Sequence, residues 1–409
     1  MKRVVVTGMG IWSCIGQDLQ TVTESLQQGH SGIIFDASRI EFGLLSGLVG
    51  NVPKPDLRPL LPRRNRITLS ADAEYAFMAI SQALEQAKIT DALLRHNETG
   101  IIWGNDGETS SIADGVKIMN DYSDARMLGP NALFQGGVSS VVMNMCTIFH
   151  LRGCSLTTGA GCASSSHAIG IASLLIQTGK HDCIIVGGST ETYPLLGASF
   201  DATDVLSRRN GSPASASRPF DKDRDGMVFS GGAAALVLEE YEHAVARGAT
   251  ILAEVAGYGF SSNGIEEISM PSADGEYIAM KRALDDAGLQ PSGIDYVNAH
   301  ATSTIAGDIE EAKALTRLFE GAKCPYISST KSMTGHENWM AGASEAVYSI
   351  LMMQNGFVAP NINLVNVIDE AKDLNIARET VYTPIHTVLS NSSGMGGTNS
   401  ALIFRKLPH

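Results

Sequence analysis

The chain has 409 residues, of which 44% are hydrophobic and 18% charged, and its formal net charge is −13. This composition predicts an ordered globular protein with a large core. The negative charge argues against nucleic acid as the main partner, because a phosphate backbone is bound by a basic face. No uninterrupted apolar stretch reaches the length of about 18 residues that a membrane span needs.

The N-terminus begins with two cations and a short apolar run, Val4-Val-Val-Thr-Gly-Met-Gly. Glycines interrupt the run and no small-residue cleavage site follows, so we interpret it as the first strand and not as a secretion signal. The six cysteines include no Cys-x-x-Cys pair and no His spacing typical of zinc. They indicate the reduced cysteines of a cytoplasmic protein.

Residues 54 to 66 form a basic cluster that contains five cations and a single acid, Asp56. An acidic macromolecule could bind such a patch, although an ordinary solvated loop is an equally good interpretation of the sequence alone. The five cations are Lys54, Arg58, Arg63, Arg64 and Arg66.

The sequence indicates one arrangement of strands and helices that occurs twice, which predicts two α/β halves, 1–250 and 251–409, packed face to face. Each half opens with a strand that runs into a Gly-x-Gly turn. The strongest match is between 153–179 and 325–356, where a strand, a turn and a small-residue helix follow one another. The four pairs of matching segments are 4–13 with 253–262, 99–106 with 294–301, 153–179 with 325–356, and 233–240 with 400–406.

Strands that alternate with helical patterns predict right-handed crossover connections and parallel sheets. The run 182–188 is almost wholly apolar after Asp182, as expected of a strand with helices on both faces. Small residues in 163–175 predict a buried helix. Because open α/β sheets bind ligands at the carboxyl ends of their strands, we expect the motifs described next to share one cleft.

Cys162 lies between a predicted strand and a predicted helix, in Thr157-Thr-Gly-Ala-Gly-Cys-Ala-Ser-Ser-Ser-His167. A lone cysteine in an apolar stretch is usually a core residue. At a helix N-terminus, however, the helix dipole lowers the pKa of a thiol. We therefore predict a nucleophile at this position.

Two histidines follow strands of the second half. His300 precedes the hydroxyl residues Thr302 and Thr304 and a group of acids, and taken alone it could equally be a surface histidine in a turn. His336 follows Lys331 by five residues, in Ser329-Thr-Lys-Ser-Met-Thr-Gly-His, and precedes a helix. A helix N-terminus keeps a nearby imidazole neutral, and a neutral imidazole can donate a hydrogen bond to a developing oxyanion.

These motifs occur in order along essentially the whole chain, together with Ala216-Ser-Arg-Pro-Phe-Asp-Lys-Asp-Arg-Asp-Gly-Met-Val and a late Gly-Gly-Thr-Asn. In this the chain resembles the β-ketoacyl-[acyl carrier protein] synthases of the thiolase superfamily, particularly the condensing enzymes of bacterial type II fatty acid synthesis. The resemblance implies a thiolase-like fold, in which two pseudo-repeated α/β halves form a five-layer αβαβα sandwich. It also implies a dimer.

The resemblance implies a Claisen condensation in two stages. Cys162 accepts an acyl group from a carrier-protein thioester, and malonyl-carrier protein then loses carbon dioxide to give an attacking enolate. No metal or cofactor is implied, because acyl carrier protein brings the substrates on its phosphopantetheine arm. The resemblance implies that Cys162 is the nucleophile, that His300 and His336 donate hydrogen bonds to the enolate, and that the N–H groups of Cys162 and Met395 form the oxyanion hole. It implies that Lys331 and Glu311 form a buried pair that orients the histidines. It also implies that Thr302 and Thr304 bind pantetheine.

Two departures from the family's usual sequence concern the acyl pocket. The family usually has Ser-Leu-Gly-Ala-Ala-Gly after the second histidine, whereas this chain has Glu337-Asn-Trp-Met-Ala-Gly, which introduces the bulky Trp339. The C-terminal loop usually reads Asn-Ser-Phe-Gly-Phe, and here Ser393 and Met395 replace both phenylalanines, the second of which usually gates the pocket. We expect these side chains to admit conjugated acyl chains, as in aryl polyene or related type II polyketide pathways. Ordinary fatty acid elongation and a neutral repacking are the alternatives.

Two other functions are alternatives to this one. A thiolase would need a second cysteine in its C-terminal glycine-rich loop, where this chain has Gly394-Met-Gly-Gly-Thr. A non-catalytic chain-length factor would lack the nucleophile or a histidine, and all three residues are present. If the protein forms a heterodimer with such a factor rather than a homodimer, it is the catalytic member. The resemblance also suggests that Arg63, Arg64 and Arg66 bind acyl carrier protein, which is small and acidic.

Overall fold

The computed structural model describes residues 1–96 and 98–407, and within them the chain forms fourteen strands and fifteen α-helices. The strands are β1 (Val4–Trp12), β2 (Ile33–Phe35), β3 (Leu48–Gly50), β4 (Gly100–Gly104), β5 (Ser155–Thr158), β6 (Cys183–Thr190), β7 (Gly232–Glu240), β8 (Ala253–Ser262), β9 (Tyr296–Asn298), β10 (Tyr326–Ser328), β11 (Phe357–Val358), β12 (Val381–Tyr382), β13 (Thr387–Gly394) and β14 (Thr398–Arg405). The helices are α1 (Leu19–Gln28), α2 (Ala37–Phe42), α3 (Arg63–Arg66), α4 (Ala71–Gln86), α5 (Asp91–His96), α6 (Thr109–Tyr122), α7 (Ala132–Gln135), α8 (Ser140–Phe149), α9 (Ser164–Gln177), α10 (Pro194–Asp201), α11 (Tyr241–Ala246), α12 (Ala273–Ala287), α13 (Ile305–Leu318), α14 (Lys331–Thr334) and α15 (Ala341–Asn355).

The strand order of the large sheet repeats between the two halves of the chain. One run is β5-β4-β6-β7-β1 and the other is β10-β9-β13-β14-β8, so every strand of the first run has a counterpart in the second. The matching sequence segments fall on β1 and β8, on β4 and β9, on β5 with α9 and β10 with α15, and on β7 and β14. The two runs meet where Val5 and Val6 of β1 pair with Glu254 and Ala253 of β8. The domain boundary at residue 250 stays a prediction.

The Gly-x-Gly segments lie inside β1 and β8, and the predicted turns at these places are wrong. A Cβ at Gly10 would lie 1.9 Å from the carbonyl oxygen of Ala79 in α4, and one at Gly259 would lie 2.1 Å from that of Ala279 in α12. Glycine is required because the helix backbone approaches the strand too closely for any side chain. The same close approach at matching positions is a further trace of the repeat.

Parallel pairing is confined to three strands of each run. β5, β4 and β6 pair in parallel, as do β10, β9 and β13. The remaining neighbours, including β13 with β14, pair antiparallel. The prediction of parallel sheets is therefore correct only for part of each run. β13 and β14 are joined by a short connection and form a hairpin, which allows only antiparallel pairing.

Helices cover both faces of each run and produce the predicted five layers. Helices α4 and α8 pack on the outer face of the first run, and α12 and α13 on the outer face of the second. Helices α9 and α15 lie between the runs and contact each other. In β7, Ala235 and Val237 face the outer core while Leu236 and Leu238 face the central one, which explains why the strand is buried throughout.

The candidate site residues follow strands at equivalent places in the two halves. Cys162 comes after β5, and His336 comes after its counterpart β10, whereas His300 comes directly after β9. In the described ranges no helix is both long and apolar enough to cross a membrane, and all six cysteines are free. The cytoplasmic location inferred from the cysteine pattern stays a prediction.

Candidate active site

Cys162 lies at the junction between β5 and α9. It belongs to a short 3-10 helix, Gly161–Ala163, that leads directly into α9. Gly161 has φ of +53°, in the left-handed region that glycine adopts without strain. The predicted order of strand, glycine turn and buried helix is confirmed, and the Cys162 side chain is almost fully buried.

The structure brings Cys162, His300 and His336 together. The Sγ of Cys162 lies 2.9 Å from Nε2 of His336. The two imidazole rings meet edge to face, with their centroids 5.3 Å apart. One sulfur or nitrogen atom from each of the three residues lies within 4.8 Å of the others. A thiol and two imidazoles can therefore act on one bound group.

Burial determines the protonation of the thiol. It raises the pKa of Cys162 to about 11, although the Lys331 ammonium and the backbone N–H groups of Met395 and Cys162 lower that pKa in part. The predicted lowering by the helix dipole is therefore wrong, because the loss of water around a thiolate outweighs the favourable charges. In the resting site the thiol is neutral, and Nε2 of His336 is placed to accept its proton.

Burial also determines the protonation of the histidines. It holds the pKa of His300 and the pKa of His336 well below their ordinary value, and the positive charge of Lys331 lowers both further. Both imidazoles are neutral, as predicted. The cause is burial and a nearby ammonium, where the sequence suggested a helix N-terminus.

Lys331 forms an ion pair with Glu345, which the sequence analysis missed. The Lys331 ammonium contacts Glu345 on α15 and not Glu311, and both side chains are almost fully buried. Glu345 is an isolated acid in a helix of small and apolar residues. Such an acid normally requires a buried partner, and this was the available signal.

Glu311 orients the His300 loop through the backbone. Its carboxylate accepts hydrogen bonds from the backbone N–H of His300 at 2.7 Å and of Ala301 at 2.5 Å. It also accepts one from the Asn391 side chain on β13, at 2.7 Å. The predicted task of orienting a histidine fits this geometry, but Glu311 does so without a direct contact to Lys331.

The thiol and the imidazoles open into a cavity of about 340 Å³, a size typical of small-molecule sites. Thr302 and Thr304 line one side, with their hydroxyl oxygens 3.0 Å apart. Ser393 and Met395 also line the cavity. A further lining residue is Glu276, a buried acid that the sequence analysis did not single out.

Trp339 lies behind the wall of this cavity and not in it. It packs against Phe200, Met227 and Phe229, and of these Phe200 and Met227 line the cavity. Trp339 can therefore affect the cavity only through the side chains in front of it.

The tip of the β13–β14 hairpin contacts the turn that carries Cys162. A Cβ at Gly394 would lie 2.4 Å from the carbonyl oxygen of Ala160, so the two backbones are in direct contact. The backbone N–H groups of the next residue, Met395, and of Cys162 itself lower the pKa of the Cys162 thiol in part. The two N–H groups assigned to an oxyanion hole thus act on the same atom.

The same three side chains are also a possible metal site, because a cysteine and two histidines are common zinc ligands. The buried ammonium of Lys331 already disfavours positive charge on both imidazoles. It would oppose a metal cation for the same reason. The charge distribution instead suits an anionic oxygen that forms during a reaction.

The basic cluster is exposed only in part. Arg63 and Arg64 are exposed on α3, and Arg66 is half-buried. Lys54 and Arg58 form ion pairs with nearby acids. Across residues 1–96 and 98–407, neither Arg63 nor Arg64 forms an ion pair, so their charges face solvent.

Comparison with known proteins identifies the family. Models described as "Beta-ketoacyl synthase, N-terminal domain" and "Beta-ketoacyl synthase, C-terminal domain" match residues 1–244 and 252–365. The chain belongs to the β-ketoacyl synthase family. It is 40% identical to 3-oxoacyl-[acyl-carrier-protein] synthase 1 of Escherichia coli strain K12, over 100% of both chains.

Solved structures of β-ketoacyl synthases confirm the thiolase-like fold. The crystal structure of a β-ketoacyl synthase from Burkholderia phymatum STM815 matches with a TM-score of 0.94 and 35% identity, over 100% of both chains. A type II polyketide ketosynthase in complex with its acyl carrier protein matches with a TM-score of 0.90 and 29% identity, again over 100% of both chains. The protein is an acyltransferase of the 3-oxoacyl-[acyl-carrier-protein] synthase class.

Removing the Lys331 ammonium should make the Cys162 thiol more difficult to ionise. In Glu345→Gln the counter-charge is neutralised, and adding Lys331→Met then removes the ammonium without leaving an unpaired buried carboxylate at Glu345. We expect the double variant to raise the pKa of Cys162 by about one unit or more relative to Glu345→Gln, because a nearby cation stabilises a thiolate. The measurement is the pH dependence of iodoacetamide alkylation, read by mass spectrometry of the Cys162 peptide. Equal profiles for the two variants would show that the ammonium does not act on the sulfur.

Proposed function

We propose that the protein catalyses the decarboxylative condensation of malonyl-acyl carrier protein with an acyl group held on Cys162. The observation that carries this proposal is the placement of one thiol beside two neutral imidazoles and two backbone N–H groups, at a cavity. Each of these groups meets a requirement of one of the two half-reactions.

The first half-reaction is acyl transfer to the thiol. Cys162 attacks the thioester carbon as its proton moves to Nε2 of His336, 2.9 Å away. The negative charge that develops on the thioester oxygen accepts hydrogen bonds from the N–H groups of Cys162 and Met395. The bond to the pantetheine sulfur then breaks, and that sulfur leaves with the proton.

The second half-reaction forms the carbon–carbon bond. Malonyl-carrier protein loses carbon dioxide, and the electron pair of the broken bond passes into an enolate. The enolate oxygen accepts hydrogen bonds from His300 and from His336, which for this step carries its ring proton on Nε2. Neutral imidazoles suit this task, since they donate without protonating the enolate. The enolate carbon attacks the acyl thioester, and Cys162 leaves as a thiolate that the field of Lys331 stabilises.

We further propose that the natural acyl chains are the saturated chains of fatty acid elongation. The 40% identity to an Escherichia coli 3-oxoacyl-[acyl-carrier-protein] synthase supports this alternative better than the conjugated-chain interpretation favoured by the sequence. The conjugated-chain candidate keeps one supporting observation, which is that Ser393 and Met395 line the cavity in place of two rings. Trp339 no longer supports it directly.

A competition assay tests the reaction and the chain type together. The enzyme is offered equal amounts of a saturated and a conjugated acyl-carrier protein of matched length, with malonyl-carrier protein. We expect an acyl adduct on Cys162 and a β-ketoacyl product, both mainly from the saturated chain. Cys162→Ala should lower product formation by at least about a thousandfold, since no other group can hold the acyl chain.

The outcomes of this assay are separable. Clear preference for the conjugated chain would contradict the fatty acid role and restore the polyene interpretation. Absence of any adduct on Cys162 in a folded enzyme would contradict the reaction and support a non-catalytic partner of the chain-length-factor type.

We propose that Arg63 and Arg64, with Arg66 behind them, bind acyl carrier protein. Their charges are exposed on a chain whose net charge is −13, so they attract an acidic partner to one place. That a related ketosynthase forms a complex with its acyl carrier protein supports a carrier partner for this chain.

Reversing these charges should weaken carrier binding without harming the chemistry. For Arg63→Glu/Arg64→Glu we expect the KM for acyl-carrier protein to rise about tenfold and its salt dependence to weaken. The KM for a small pantetheine thioester should not change, because that substrate has no protein surface. Lys323→Glu/Lys372→Glu is the matched control, since it reverses two exposed charges elsewhere. Equal KM values in the two double variants would show that Arg63 and Arg64 are ordinary solvent-exposed charges and do not bind the carrier protein.

We propose that the apolar surface between α6 and β5 is the subunit interface of a dimer. Ile112 and Val116 of α6, Leu133 of α7 and Leu156 of β5 are 47% to 77% exposed. β5 is the edge strand of the sheet and has one free side. Two copies can pair these edges about a twofold axis, which closes both edges at once. A chain-length-factor-like ketosynthase with the same surface would give a heterodimer instead.

Charges placed on this surface should prevent assembly. We expect native mass spectrometry to show a dimer for the wild type and a monomer for Val116→Asp/Leu133→Asp, because a carboxylate in an apolar interface is strongly unfavourable. Val245→Asp, at an exposed apolar residue of α11, should leave the dimer intact. A monomeric wild type would contradict the interface, and co-purification of a different chain from the native host would establish the heterodimer.

A further inference from the structure

His167 is a half-buried histidine that has no part in the steps above. It lies on α9, five residues after Cys162. Both of its ring nitrogens have a partner. Nδ1 lies 2.6 Å from the Tyr258 hydroxyl of β8, and Nε2 lies 3.0 Å from the Thr398 hydroxyl at the start of β14. The ring therefore joins the helix that follows the nucleophile to two strands of the second half.

Burial keeps the His167 ring uncharged. It lowers the pKa of His167 to about 4, and a neutral imidazole has one donor and one acceptor nitrogen. The Tyr258 and Thr398 hydroxyls can each donate or accept a hydrogen bond. Both contacts are therefore satisfied at neutral pH in either tautomer of the ring.

Tyr258 fixes the orientation of this imidazole. Its side chain is 9% exposed, and its ring meets the His167 ring edge to face, with the centroids 6.0 Å apart. A Cβ at Gly170 of α9 would lie 2.3 Å from Cε2 of Tyr258, so the tyrosine ring lies directly against the helix backbone. Because Nδ1 is bonded to this closely packed hydroxyl, Nε2 is held towards Thr398.

Thr398 connects His167 to the hairpin tip, residues 395–397. It pairs with Gly394 across the hairpin, and its Cγ2 lies 2.7 Å from the place where a Cβ of Gly394 would be. The carbonyl oxygen of Ala160 lies 2.4 Å from the same place. The Thr398 side chain and the turn that carries the nucleophile therefore both pack on Gly394.

Met395 brings the tip to the same turn. Its backbone nitrogen lies 3.3 Å from the place where a Cβ of Gly161 would be, and Gly161 directly precedes the nucleophile. Gly396 and Gly397 both have φ of +85° and carry no side chain that could fix the tip. At one end, the Gly397 carbonyl accepts a hydrogen bond from the Asn263 N–H at 2.8 Å. The position of the Met395 N–H group thus depends on how the flanking residues are held.

We propose that His167 is a positioning residue. Its hydrogen bond to the Thr398 hydroxyl fixes that side chain against the hairpin and so holds the Met395 N–H group at the oxyanion of the acylation step. Without this hydrogen bond the Thr398 side chain rotates, the tip shifts away from the Cys162 turn, and the oxyanion loses one of its two donors. This inference rests on the proposed function, because the Met395 N–H group matters only if an oxyanion forms at Cys162.

The experiment compares two reactions of the same thiol in the full-length enzyme. Acylation of Cys162 by an acyl-pantetheine thioester passes through an oxyanion, whereas alkylation by iodoacetamide does not. For His167→Ala and Thr398→Val we expect acylation at saturating thioester to fall about tenfold or more. Alkylation should stay within about threefold of the wild type, because Lys331 and the N–H group of Cys162 still favour the thiolate.

Two amide variants separate the contact with Thr398 from the contact with Tyr258. The amide of a glutamine reaches the place of Nε2 in an imidazole, and the amide of an asparagine reaches that of Nδ1. We expect His167→Gln to acylate within about threefold of the wild-type rate at saturating thioester. We expect His167→Asn to be as slow as His167→Ala. A side chain that only fills space would not rank the two amides in this order.

Ser400→Ala is the matched control. The Ser400 hydroxyl lies 2.7 Å from that of Ser166, so this pair also joins β14 to α9, but further from the tip. Removing it should lower the midpoint of thermal unfolding and leave acylation within about twofold of the wild type. Far-UV circular dichroism checks folding, and if His167→Ala fails to fold, Thr398→Val and the two amide variants carry the test.

Wild-type acylation in folded His167→Ala and Thr398→Val would overturn the inference, and so would an equal loss of acylation and alkylation in them. Equal acylation by His167→Gln and His167→Asn, or as large a loss in Ser400→Ala, would also overturn it. A wild type that is alkylated but never acylated would instead contradict the proposed function, and the inference would fall with it.

Discussion

The buried ammonium of Lys331 sets the electrostatic conditions of the whole site. It is held by Glu345, and removing two such charges from water costs several kcal/mol per ion. The effect of this buried charge is seen in the pKa values of the groups around it. The same charge lowers the pKa of His300, the pKa of His336 and the pKa of Cys162, so it favours neutral donors and an anionic sulfur together. Both are properties that a site for anionic oxygen intermediates requires.

The doubled fold determines the distance between the nucleophile and its imidazole partner. Cys162 precedes α9 and His336 precedes α15, and these helices form the central layer of the two halves. A Cβ at Gly342 of α15 would lie 2.5 Å from the Cβ of Ser166 in α9, so the helices touch through their smallest residues. Larger side chains at this contact would separate the helices and lengthen the 2.9 Å approach between Sγ and Nε2. The small residues in these helices are therefore part of the active site as well as of the packing.

Features that depend on one segment of the chain could be predicted from the sequence. Contacts between segments could be predicted only where the internal repeat or the family resemblance supplied them, as for the cleft shared by Cys162, His300 and His336. The strand, turn and helix around Cys162 follow from local glycine and apolar patterns, and they are confirmed. Gly10 was assigned to a turn because the sequence of one segment does not distinguish a glycine in a turn from a glycine in a strand that a helix approaches closely. The partner of Lys331 was missed because Glu345 lies on another helix, and the direction of the thiol pKa was missed because burial arises only when the halves assemble. Glu276 was missed for the same reason, since only the assembled fold buries it at the cavity.

The raised pKa of the thiol has a consequence for the order of the two half-reactions. With a thiolate and imidazolium pair in the resting enzyme, His336 would be charged before acylation and would become neutral only when it gave its proton to the leaving pantetheine sulfur. A neutral thiol beside a neutral imidazole has no net charge before acylation, and the acyl-enzyme has none either. The histidines thus meet the malonyl group in the same neutral state in which they stood beside the free thiol. Burial slows ionisation of Cys162, and in exchange it keeps both imidazoles neutral at the start of each half-reaction.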